Sequence, residues 1–173
     1  MRFTATQDTE AVSLRDELAS RALGTDAPGL MTANLWLWDV EPASSASDPR
    51  VVVVALLGRT GMPCRDLLEA QVALGPWVSL APEAARKAAM RLLTSETSLE
   101  IAAFDEEPRQ AALFVDRLFA WVGSPVAALA SMDHRADDSA AGFSLFRVPH
   151  WVDEGLVFIG PARVGLLWFV GTD

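Results

Sequence analysis

Apolar residues recur along the chain with two different periods, and those periods mark out its elements. Over residues 8–23, Ala11, Leu14, Leu18 and Ala22 fall three or four apart, which lines one face of a helix. Asp8 stands at the N-cap position and Gly24 just past the end. Residues 31–40 alternate instead, with Trp36, Trp38 and Val40 on one side and Leu35, Leu37 and Asp39 on the other, the period of two of a β-strand. EPASSASD over 41–48 has turn composition, and the more uniformly apolar run 51–57 reads as a second strand. The two predict a hairpin with a long tip.

Residues 63–74 and 82–93 each open with proline, which suits the first helical turn, and Gly75-Pro76 stops the first. The second carries a stripe of small and apolar residues, Ala84, Ala85, Ala88, Ala89, Leu92 and Leu93, that permits close packing. Residues 99–104 alternate as a third strand. Residues 108–122 predict a further helix closed by Gly123. The apolar arc of that helix, from Ala111 through Phe114, Val115, Leu118 and Phe119 to Trp121 and Val122, is wider than one buried face needs. A deep position in the core is the first expectation, and contact with a partner the second.

Residues 124–141 begin with weak helical character and continue as a polar surface loop from Met132 to Ser139. Three strands follow at 143–148, 156–159 and 164–170, and their short connections predict a C-terminal antiparallel meander. The last two runs are apolar at successive positions, so both faces are expected to be buried and the final hairpin to lie in the middle of the sheet. Because strands and helices do not alternate strictly, the order predicts an α+β fold. It is a mainly antiparallel sheet of about six strands with helices packed chiefly on one face. A predominantly parallel α/β arrangement, with crossovers around 99–104, is the alternative.

Composition narrows the partners more than it narrows the fold. The length of 173 residues predicts a single globular domain over 1–173, and 51% apolar with 21% charged residues is ordinary for such a chain. With 14 Lys and Arg against 23 Asp and Glu the formal charge is -9, which repels a phosphate backbone, so nucleic acid is not expected as a partner. Cys64 is the single cysteine, which excludes an intramolecular disulfide, and no signal-like segment follows Met1. A cytoplasmic location is the expectation. The longest apolar runs, 51–57 and 164–170, fall far short of the ~20 residues of a membrane-spanning helix, so no membrane association is expected.

Four places carry candidate chemistry. Asp133, His134, Asp137 and Asp138 lie within one short loop, and His150, Asp153 and Glu154 form a second group of imidazole and carboxylate donors. These are ligand types for a divalent metal such as zinc, manganese or iron. If the 133–138 loop reached His150, then His134, Asp138, His150 and Asp153 would form a ligand set with Glu154 as general base, the constellation of a small metal-dependent hydrolase. Neither spacing matches HExxH or an EF-hand, and a solvated acidic loop is the plainer expectation.

The second place is 58–64, a glycine-containing loop between an apolar strand and a helix, where Arg59, Gly61 and Cys64 would bind an anion or activate a thiol. It lacks both the GK[ST] ending and the full GxGxxG pattern, and a buried inert cysteine is the plainer expectation. The third is carboxylate or serine catalysis. No GxSxG occurs, and the acid pairs Glu106-Glu107 and Asp137-Asp138 read as helix-terminal or solvated charges. The fourth is tryptophan: Trp77, Trp121 and Trp151 are candidate anchors of a binding surface, with Trp151 and Trp77 placed by their turn-like neighbours where a large ring is hardest to bury. No motif carries a family resemblance. The expected function is therefore non-enzymatic, binding of another protein or self-association as a homodimer, without an organic cofactor; the metal-dependent hydrolase is the alternative.

Overall fold

The final two strands lie at the centre of the described sheet. The computed structural model describes residues 3–22, 31–41, 77–94, 103–104, 107–123, 127–130 and 152–171. In chain order these form β1 (Phe3–Ala5), α1 (Thr9–Ala22), β2 (Met31–Val40), β3 (Val78–Leu80), α2 (Pro82–Leu93), α3 (Pro108–Val122), β4 (Ala127–Ala130), β5 (Val152–Ile159) and β6 (Arg163–Gly171). The strands make one six-stranded sheet of order β1-β2-β6-β5-β4-β3, in which every pairing is antiparallel. This is an α+β fold, and the doubly wound parallel alternative is excluded for the described strands.

Register explains why β5 and β6 are apolar at successive positions. Leu35, Leu167, Leu156, Ala130 and Val78 stand side by side across five strands, and the adjacent row on the same face runs Leu37, Gly165, Phe158, Ala128 and Leu80. These rows join the apolar faces of all three described helices in one core: Leu14 and Leu18 from α1, Ala88, Leu92 and Leu93 from α2, and Phe114, Leu118 and Val122 from α3. The intervening positions point the other way. Trp38, Leu129, Val157, Val164, Leu166 and Trp168 are buried too, so the sheet is apolar on both faces.

The helices begin and end where local chemistry dictates. Asp8 caps α1, its carboxylate accepting from the backbone N–H of Glu10 at 3.0 Å and of Ala11 at 3.3 Å. Proline opens both α2 and α3, and Gly123 closes α3 at φ 88°, a backbone region that disfavours any residue with a Cβ. α3 touches both α1 and α2. It runs antiparallel to α1: Arg21 near the end of α1 pairs with Glu107 before α3 at 2.6 Å, while Arg163 at the start of β6 links the opposite ends. The Arg163 guanidinium donates to the Trp121 carbonyl at 3.1 Å, lies 4.8 Å from the centre of the Trp121 ring and pairs with Asp8 at 3.4 Å and Asp39 at 3.5 Å. One side chain thereby ties the start of α1, the end of α3, β2 and β6 together.

Three expectations from the sequence need adjustment. The weakly helical start of 124–141 contains β4, because Ala127–Ala130 pairs with β5 on one side and β3 on the other, and two ladders of backbone hydrogen bonds outweigh the high helix propensity of its alanines. The strand expected over 99–104 does not include Ala103 and Phe104, which form a turn; Phe104 is nonetheless buried, its ring 5.3 Å from that of Phe114. The short strands β1 and β3 had no sequence counterpart. The expected elements at 51–57, 63–74 and 143–148 lie outside the described residues.

Candidate functional site

Two features of the described residues stand apart from ordinary packing. The first is Glu154 in β5. Strand alternation places it on the same face as Leu156 and Phe158, in a row with Phe169 of β6 and Ala33 of β2, at the edge of the helix-facing core. Only 7% of its surface is exposed. Burial pushes its carboxyl above the ordinary carboxylate range, and the Arg91 guanidinium of α2 offsets part of that effect by favouring the charged form. A carboxyl held in this way is protonated more readily than a surface glutamate, a property suited to proton transfer.

The second feature is the outer ridge of α3. As expected from its wide apolar arc, this helix sits deep: Ala111, Phe114, Val115, Leu118, Trp121 and Val122 are buried. Its outward strip carries Leu113, 57% exposed and the one large hydrophobic side chain in that state among the described residues. Ala120, two turns on, is exposed on the same side. Ion pairs flank the strip. Toward α2, Asp116 pairs with Arg86. Toward α1, Arg117 meets Glu10 at 2.6 Å and Glu17 at 2.6 Å, and donates to Ser13 Oγ at 2.9 Å. The hydrogen bond that Arg117 donates to Glu10 chiefly, with smaller contributions from Glu17, raises the Arg117 guanidinium above its ordinary value against the opposing cost of desolvation. Arg109 and Gln110, on the first turn, are exposed. The ridge is thus an apolar centre with a charged and polar border, the composition common to protein interfaces.

The tryptophans expected as anchors are placed differently. Trp77 is 8% exposed and meets the fully buried Trp168 edge-on, with ring centres 5.9 Å apart at 62°. Trp121 is 4% exposed beneath Arg163. Both rings face the interior. Trp151 lies outside the described residues, as do Arg59, Gly61 and Cys64 of the anion-binding loop, and Asp133, His134, Asp137, Asp138 and His150 of the metal set. Asp153 is within β5, its backbone opposite Val170. Among the described residues no three histidine, cysteine, aspartate or glutamate side chains converge as a metal site, and no helix is long and apolar enough to cross a membrane.

Reasoning from sequence passed over Leu113 because it stands outside the apolar arc of its own helix. That displacement was itself the signal: a leucine between Gln110 and the pair Asp116-Arg117 faces away from the core. Arg91 was hidden for the opposite reason, a charge on the border of an apolar stripe whose neighbour on β5 only the fold supplies. Compared with known proteins, the chain matches no family model and no curated protein.

Proposed function

We propose that this chain is a cytoplasmic, non-enzymatic interaction domain that engages a protein surface through the outer ridge of α3. The observation that carries the reading is Leu113, 57% exposed in the middle of a helix whose other large apolar side chains are buried or half-buried. Burying a leucine that is fully exposed stabilises a contact by about 1.5–3 kcal/mol. The surrounding Arg109, Asp116 and Arg117 give the contact a polar border that fixes its orientation. With a net charge of -9 the protein is unsuited to nucleic acid, and a protein partner fits the ridge better than that class does.

The test compares wild type with Leu113→Asp in sedimentation velocity and in retention of proteins from a lysate, with thermal unfolding as the control for fold. Association or retention lost in the variant, at unchanged melting temperature, supports the reading. Equal behaviour of the two proteins in both assays overturns it.

A second reading, the small metal-dependent hydrolase, draws on Glu154. A largely buried carboxyl whose affinity for protons is raised is a fitting general base, and His134, Asp138, His150 and Asp153 supply suitable ligand chemistry. A ligand that binds only the native state raises its melting temperature. Stabilisation by zinc, manganese or nickel that disappears in His134→Ala and His150→Ala supports this reading, and absence of any such shift in wild type removes it.

A further inference from the structure

The border of the α3 ridge is complementary to itself, and we infer that the partner surface it fits is the same ridge on a second copy of this chain, packed antiparallel across a two-fold axis at Leu113. The inference rests on the interaction reading and names its partner.

Arg109 and Asp116 are seven residues apart, two turns of helix, and lie on the same flank of Leu113. A two-fold axis in the contact plane, perpendicular to the helix, reverses the chain direction but leaves each flank on its own side. Arg109 of one copy then stands opposite Asp116 of the other, and the symmetry makes this contact twice. The other flank obeys the same rule, with Gln110 opposite Arg117. The midpoints of the two pairings fall on either side of Leu113, so both long side chains reach their partners with the two leucines on the axis. Arg109 belongs to no ion pair among the described residues, while Asp116 keeps 51% of its side chain exposed beside Arg86 and has room for a second cation. Arg109 also stands in the first turn of α3, where the helix dipole is unfavourable to a cation; an opposed carboxylate relieves that cost.

One helix ridge per copy is a small contact, at the low end of specific interfaces, so the dimer is a weak one with a Kd of roughly 10 µM to 1 mM. Its charge pattern makes a sharp test. Arg109→Asp places two like-charged pairs in the homodimer, and so does Asp116→Arg. In an equimolar mixture of the two variants, each copy of one meets a copy of the other with both pairs opposite in sign.

Sedimentation equilibrium over a concentration series reads all four samples: wild type, each variant and their mixture. The inference expects concentration-dependent dimerisation of wild type, weakening of roughly tenfold or more in each variant alone, and recovery in the mixture. Recovery also excludes misfolding as the cause of the loss. A wild type that stays monomeric throughout overturns the inference, as does either variant associating like wild type or a mixture that fails to recover. A monomeric wild type leaves the broader interaction reading standing wherever Leu113→Asp still abolishes retention of a different protein.

Discussion

The indole of Trp77 meets that of Trp168 edge to face, ring centres 5.9 Å apart, with Trp168 wholly buried. Aromatic pairs in this arrangement contribute about 0.5–1.5 kcal/mol beyond the area they bury. Trp77→Ala is therefore expected to lower stability by about 3–5 kcal/mol in urea unfolding, the cost of truncating a buried aromatic. At concentrations where the variant remains folded, its association should match wild type. A variant of wild-type stability with impaired association would instead make Trp77 an anchor.

Trp168 also lies against Gly155, its direct neighbour across the β5–β6 pair, and a Cβ on Gly155 would collide with the indole and with the Leu167 carbonyl. Gly155→Ala should cost about 1–3 kcal/mol by forcing the ring or the strand to shift. The checks are urea unfolding and the tryptophan emission spectrum, which should change together.

The helices were largely legible because each carries its own punctuation. Asp8, Pro82, Pro108 and Gly123 stand at the ends of α1, α2 and α3, and short-range hydrogen bonding gives them those positions without help from the rest of the fold. The strand β2 and the final hairpin were legible for a different reason: they are long enough for a period of two, or a run buried on both faces, to stand out. β1, β3 and β4 have three or four residues each and exist because neighbours pair with them, so nothing inside them announces a strand. The site divides in the same way. Glu154 stood out in the sequence only as a possible general base in the connection expected before the strand 156–159, whereas its place inside β5, which begins at Val152, and its proximity to Arg91 depend on strand pairing and on packing α2 over β5.

Glu154 gives the protein a pH dependence with a definite sign. Its folded-state affinity for protons is raised, so between its ordinary pKa and the raised one the native state binds more protons than the unfolded chain. Its contribution to stability is fully present below the ordinary carboxylate range and is lost as pH rises through the raised value. Glu154→Gln removes that loss. Urea unfolding should show the variant more stable than wild type at neutral pH, with the difference shrinking as pH falls. A variant less stable than wild type at neutral pH would mean that the ionised carboxylate is favourably held.

Arg117 joins α3 to α1 through Glu10, Glu17 and Ser13. Its side chain is partly exposed, which screens the pairs, so Arg117→Ala is expected to cost only about 1 kcal/mol despite three partners. Asp8→Ala should cost about 1–2 kcal/mol, because it removes both the cap of α1 and a contact to Arg163. Thermal unfolding of the two single variants and the double variant measures their coupling, which should differ from zero because Asp8 and Arg117 share Glu10, one through its backbone N–H and the other through its carboxylate.

The outer ridge of α3 as the contact surface is tested most directly by amide chemical shifts recorded on wild-type protein over a concentration series. The account predicts concentration-dependent shifts concentrated between Arg109 and Ala120, largest around Leu113, and absent in Leu113→Asp. Shifts that cluster on another surface, or association with the α3 amides unmoved, would contradict it.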